Sequence, residues 1–188
     1  NGRYPVDAIV EGNLGNGAAA AQAARSASSV AQVAVVGHDS VTITSAEGSP
    51  MLDIYGLNPG DAGVARNASF ATGLSDDTVV LPRSTEITTG TTVTLTGSGG
   101  AVTLRAVMAD RSGTPALVTP ATLNRLAPKH ATVLWARFTD GSDSVAATTA
   151  LGKAVATAAP GASVSGAASA RAEFKKIARG EGRIESQQ

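Results

Sequence analysis

The stretch Thr91 to Val107 constrains the fold more than any other part of the chain. Val93 and Leu95 alternate with Thr92, Thr94 and Thr96, and Val102, Leu104 and Ala106 alternate with Thr103 and Arg105. Gly97-Ser98-Gly99-Gly100 lies between the two runs. Side chains on a strand point to opposite faces in turn, so period-two alternation on both sides of a glycine-rich loop predicts an antiparallel hairpin with one solvated face. The chain must therefore build at least one sheet that buries valine and leucine from a single side.

Composition limits what fills that core. Hydrophobic residues make up 43% of the 188 residues but aromatics only 3%, so the apolar surface is mostly alanine and valine. This is enough to drive collapse of one domain, or of two small subdomains sharing a core. The formal net charge is +0, which removes the bulk electrostatic footprint of nucleic-acid binding and of a polybasic membrane surface. No cysteine is present, which excludes disulfides, thiolate zinc sites and cysteine nucleophiles. His38 and His130 are the two histidines, so metal binding and general-base chemistry lack their commonest residue. No apolar run approaches the ~18 residues of a transmembrane helix. The chain begins with Asn1, the mark of a processed protein or a fragment.

The remaining elements follow from local signals. Pro5 to Val10 predicts a short strand, and Gly12 to Gly17 a loop. The run AAAAQAARSASSVAQ predicts a helix of about ten to twelve residues. Val33 to Ser45 predicts two strand-like pieces. Met51 to Leu57 and Val79 to Leu81 predict strands, with one short helix in the weakly patterned Asp61 to Asp77. Thr119-Pro120 places an N-cap and a first-turn proline before a short helix that Pro128 ends. Ala131 to Phe138 predicts a buried strand, Ser144 to Ala158 a helix and Ala162 to Ser165 a strand. Ala167 to Ala178 predicts a last helix with Phe174 and Ile177 on its packed stripe, Lys175, Lys176 and Arg179 off it, and a break at Gly180 and Gly182.

Strand, alanine-rich helix and strand thus occur near both ends, with a Thr/Gly/Val-rich β segment between them. The fold class this implies is α+β: a mixed α/β subdomain built from both chain ends, residues 1–48 and 116–188, with a central β-rich insert, residues 49–115. The strands near Ala8 and Val133 should then share one sheet.

The candidates for chemistry do not converge. Gly12, Gly15 and Gly17 lie between a strand and a helix, where a phosphate could be cradled, and Asp39 stands at a distance suited to a ribose contact. Their order is G-x-x-G-x-G, however, and not the dinucleotide fingerprint. His38, Asp39 and Ser40 are adjacent triad residue types, and adjacent residues point different ways. His130 reads as the polar start of a strand. Asp76-Asp77 and Asp140 to Asp143 read as loop and capping acids, with too few ligands for calcium. Asn67-Ala68-Ser69 fits the glycosylation sequon. Trp135, the single tryptophan, reads as core. This leaves no catalytic, cofactor or metal residues to assign, and the expectation is a protein that is not an enzyme.

Against this background, VVLPRSTEITTGTTVTLTGSGGAVTLR, residues Val79 to Arg105, resembles the insert of FtsX-like/MacB-like ABC transporter permeases. Gly90-Thr91-Thr92-Val93-Thr94-Leu95 stands where that family carries a G-D-T-V-T-L pattern, with the acidic position replaced. Leu117 to Leu126 resembles the family's strand and short helix, and ATVLWARFTDGSD with the following helix and Ala162 to Gly166 resembles its closing portion. The resemblance implies an extracytoplasmic domain at the cell membrane, set between transmembrane helices and without catalysis of its own. It implies a cytoplasmic ABC ATPase as partner through the full-length permease, a possible permease dimer, and an envelope or cell-wall protein moved or activated by transmitted motion. It implies no cofactor and no nucleic acid. Both chain ends should leave on the same side. The alternative from composition is a free secreted binding or adhesion module, and a weaker one is an enzyme using the Gly12–Gly17 loop.

Overall fold

The computed structural model describes residues 6–44, 48–109 and 114–166. Strand β1, Ala8–Glu11, leads into helix α1, Ala18–Arg25. Strands β2, Val30–Thr44, and β3, Met51–Gly56, follow. Two 3-10 turns, Pro59–Val64 and Ala68–Ala71, connect to β4, Thr78–Leu81. After the 3-10 turn Arg83–Thr85 come β5, Thr92–Gly97, and β6, Gly100–Met108. Then come β7, Ala116–Val118, helix α2, Pro120–Leu126, and β8, Ala131–Phe138. Helix α3, Ser144–Ala156, and β9, Ser163–Gly166, complete the described chain.

β2 is long enough to belong to two sheets. Its first part pairs antiparallel with β8, from Val30↔Phe138 to His38↔Ala131. Its middle pairs with β3, from Gly37↔Gly56 to Thr42↔Met51, and its end with β5, from Thr42↔Thr96 to Thr44↔Thr94. From there the pairing runs β5 to β6, β6 to β4, β4 to β7 and β7 back to β3. These strands close into a small ring, which leaves none of them with a free edge. Its interior holds the inward half of the alternating pattern, including Val41, Ile54, Leu81, Leu95, Leu104 and Val118. Leu123 and Leu126 of α2 enter the same core. The valine and leucine face that the sequence marks out is thus the lining of this ring, and the threonine face is its outer wall.

The other sheet is β2-β8-β1-β9, antiparallel throughout. Its units β1-α1-β2 and β8-α3-β9 interleave, because β8 lies between β1 and β2 while β1 lies between β8 and β9. Ala8↔Ala136 and Val10↔Leu134 put the strands near Ala8 and Val133 in one sheet, as expected. α1 and α3 share one core with this sheet, in which Ala20, Ala21 and Ala24 meet Leu134, Leu151 and Val155. On the opposite face, Leu57, Val64 and Phe70 roof Val36, Leu117 and Trp135.

Several local readings change. β2 is one strand, not two pieces, because the polar run His38 to Ser40 continues the pairing instead of turning. α1 ends at Arg25, since Val30 is already paired with Phe138. The segment Asp61 to Asp77 takes in the end of one 3-10 turn, Pro59–Val64, and the whole of another, Ala68–Ala71, instead of one short helix. Gly97 pairs with Gly100, so the hairpin turns on Ser98 and Gly99 alone. Ala116, Val118, Leu123, Leu126 and Ala127 are buried in the ring core and not against α1 and α3. The last helix expected at Ala167 to Ala178, with its Phe174 and Ile177 stripe, lies outside the described residues.

Leu95 is fully buried inside the ring, whereas Thr103 is exposed on its outer wall. Urea unfolding should show Leu95→Ala losing about 2–5 kcal/mol of stability, as for other buried leucines. Thr103→Ala should stay within about 0.5 kcal/mol of the parent.

Candidate functional site

Where β2 passes from one sheet to the other, Gly37 and His38 are each paired on both sides, and the first of the two carries no side chain. Gly37 pairs with Gly56 of β3 and with Thr132 of β8. A Cβ at Gly37 would lie 2.5 Å from Leu123 Cδ2 and 2.8 Å from His130 Nδ1, and a Cβ at Gly56 would lie 2.8 Å from the same Cδ2. Both glycines are therefore occupied positions whose volume α2 fills. The hairpin tip treats α2 in the same way. Gly99 N–H donates to the Leu126 carbonyl at 2.8 Å, and a Cβ at Gly97 would strike that carbonyl.

α2 is short, so its placement depends on its ends. Thr119 is its N-cap and accepts from Thr122 N–H at 3.3 Å. The same hydroxyl donates to Asp76 Oδ1 at 2.6 Å, and the Thr122 hydroxyl donates to the Asp76 carbonyl at 3.3 Å. These bonds anchor the helix to the segment before β4. Asn124 Oδ1 lies 3.0 Å from His130 Nε2, while His130 Nδ1 lies 3.0 Å from the Ala131 carbonyl, which anchors the helix to the start of β8.

The other face of the junction is aromatic. His38 stacks on Tyr55 with ring centroids 4.5 Å apart and planes 16° apart. Tyr55 meets Trp135 at 5.3 Å, and Phe70 meets Trp135 at 6.2 Å, both tilted. In a chain with one tryptophan this concentrates a large share of the aromatic surface on one spot. His38 Nε2 is 3.8 Å from Asp53 Oδ1, too far for a hydrogen bond, and that oxygen accepts from the Ser40 hydroxyl at 2.7 Å. Among the described residues, Trp135 Nε1 is buried without a hydrogen-bond partner.

A third cluster ties the roof to the start of β1. Arg66 donates to both oxygens of Asp7, at 2.9 and 2.8 Å, and to Asp140 Oδ1 at 3.1 Å. Asp7 Oδ2 also accepts from the Phe138 N–H at 2.8 Å, and Asp7 N–H donates to the Ala136 carbonyl at 3.1 Å. Hydrogen bonds to Asp7 first, and to Asp140 second, raise the Arg66 pKa above its ordinary value. A raised basic pKa adds stability that is complete below the ordinary value and fades only above it, so this fork persists at every pH near neutral.

The residues singled out from sequence are not brought together. Gly17 is the left-handed N-cap of α1, and a Cβ there would meet Thr132 and Val35 at 2.9 Å. A Cβ on Gly12 would meet Ala162. These contacts give packing and turn reasons for two of the three glycines. Asp39 accepts from the Ser40 N–H, so His38, Asp39 and Ser40 each have separate engagements. Asp143 caps α3 and Asn67 caps a 3-10 turn, its amide oxygen accepting from Ser69 N–H and Oγ–H. Among the described residues no group of three or more His, Cys, Asp or Glu is placed to hold a metal ion. Nor is any described helix long and apolar enough to cross a membrane. Sequence reading missed the Gly37–Gly56–Leu123 contact. A glycine inside the β-branched run VAVVGHD is the available signal, since it marks a close approach.

No protein-family profile matches the chain, and no curated protein matches it in sequence. Solved structures do match in fold. The periplasmic region of MacB from Actinobacillus actinomycetemcomitans superposes with a TM-score of 0.57 at 12% identity, over 92% of this chain and 94% of that one. The extracellular domain of the noncanonic ABC-type transporter YknZ from Gram-positive bacteria superposes at 0.51 and 12% identity, over 85% of this chain and 98% of that one. The fold is thus α+β and similar to that of the MacB periplasmic region, the fold that the sequence resemblance implied.

Asp7 keeps 17% of its side chain exposed and Asp140 keeps 97%, so the two carboxylates around Arg66 should differ in weight. Arg66→Ala removes charged hydrogen bonds from a mostly buried partner and should cost about 1.5–3 kcal/mol. Asp140→Ala should cost under about 1 kcal/mol. Thermal unfolding of the two variants side by side tests the ranking.

Proposed function

We propose that this chain is the extracytoplasmic domain of an ABC transporter permease, without chemistry of its own, and that it passes ATPase-driven motion to a substrate or partner in the cell envelope. The observation that carries the reading is that the first and last described strands lie side by side. Ala8, at the start of β1, is paired directly with Gly166, at the end of β9. A domain held between two membrane helices needs its two connections side by side, because both return to one membrane plane. The fold likeness to the MacB periplasmic region and the YknZ extracellular domain supports the same reading.

Motion can be passed on only if the connections bear on something stiff. β1 and β9 are adjacent strands, and β1 is further held by the Arg66 fork on Asp7 and by β8. A pull on either strand thus loads hydrogen bonds across the sheet. In this reading the ATPase is a cytoplasmic partner reached through the remainder of the permease.

The test uses the natural full-length protein in cells, with other cysteines replaced and Thr103→Cys introduced in this domain, which has none of its own. A membrane-impermeant maleimide should label this site in intact cells, and the labelled protein should sediment with the membranes. Labelled protein free in the medium would establish the secreted adhesion module instead. A site that is labelled only after lysis would place the domain inside the cell and end both readings.

A further inference from the structure

We infer that α2 is a wedge that locks the ring and the helix-covered sheet into one rigid body, with Leu123 as the locking side chain. The inference concerns the joint itself and goes beyond where the domain resides.

Two parts of a fold that share one strand are expected to move against each other unless something fills the joint. Here the joint falls on Gly37 and His38, the residues of β2 paired with both sheets at once, and Gly37 faces Gly56 of the ring and Thr132 of the other sheet. Glycine inside a strand weakens it, and two glycines directly opposite each other leave no cross-strand side-chain pair. Left uncovered, this would be the soft point of the longest strand.

It is not left uncovered. Leu123 Cδ2 occupies the volume above both glycines, and the His130 ring occupies the rest of the volume above Gly37. Leu123 is 1% exposed, so the plug is desolvated. The helix that carries it is held from both sides of the joint. Thr119 and Thr122 bond to Asp76 ahead of β4, while Asn124 meets His130 ahead of β8. An element anchored to both parts, with its side chain in the gap between them, resists bending in the way that a wedge does. Leu151 offers a contrast. It is equally buried, but in the core between α3 and its own sheet, away from the joint.

The absence of cysteine allows paired spin labels at two exposed positions, Thr103→Cys on the ring and Ala150→Cys on α3. Pulsed electron–electron resonance on the purified chain should give one narrow distance distribution for the parent. Leu123→Ala should broaden it, and so should Leu123→Val, which lacks the Cδ atoms while keeping an apolar side chain. Leu151→Ala should destabilise the chain yet leave the distribution narrow. If Leu123→Ala does not fold by circular dichroism, Leu123→Val decides. Distributions as narrow as the parent in the Leu123 variants would overturn the lock. Equal broadening by Leu151→Ala would also overturn it, because the joint would then have no special part. None of these outcomes bears on membrane location, which the maleimide experiment reads separately.

Discussion

A strand that serves two sheets must change partners somewhere, and the residue at the change has neighbours on both sides. In β2 the change spans Gly37 and His38, and Gly37 is paired with Gly56 of the ring and with Thr132 of the helix-covered sheet. The remaining architecture takes its position from this. The ring can close only because β2 continues past β8 to reach β3 and β5. The interleaved units can form only because the first part of β2 stays beside β8. α2 packs over the same point because no Cβ stands in its way.

Much of this was legible in the sequence, and the exceptions have physical causes. The β5–β6 hairpin is local, so alternation and glycine alone define it. The cap of α2 is local as well, and Thr119 and Pro120 stand where the sequence puts them. The continuity of β2 was hidden because His38, Asp39 and Ser40 are three polar residues in a row, a pattern that turns share. Two of them face the outer side, where His38 stacks on Tyr55 and Ser40 bonds Asp53. The length of α1 was overread because alanine propensity cannot register that Val30 is claimed by Phe138, far away along the chain. Closure of the ring was not legible at all. It depends on β7, three residues long, meeting β3 and β4, and such pairings leave no local pattern.

The candidate site followed the same rule. Residue types that suggest chemistry, such as His38-Asp39-Ser40 and the Gly12–Gly17 loop, were found by motif and then dispersed by geometry. The residues that organise the molecule were ordinary ones: a leucine, glycines, and an arginine paired with Asp7. Their roles come from distance in space, which a single sequence does not display. Among the described residues the first and last strands lie side by side, Asp7 is held by Arg66, and Leu123 fills the space over Gly37 and Gly56.

The shared strand is the claim on which all of this depends, and backbone NMR on the labelled 188-residue chain tests it directly. The account predicts interstrand NOEs from Gly37 and His38 to both neighbours at once: to Gly56 and Tyr55 on one side, and to Thr132 and Ala131 on the other. NOEs to only one of the two strands would mean that β2 does not join the sheets, and the single-body account would fail with it.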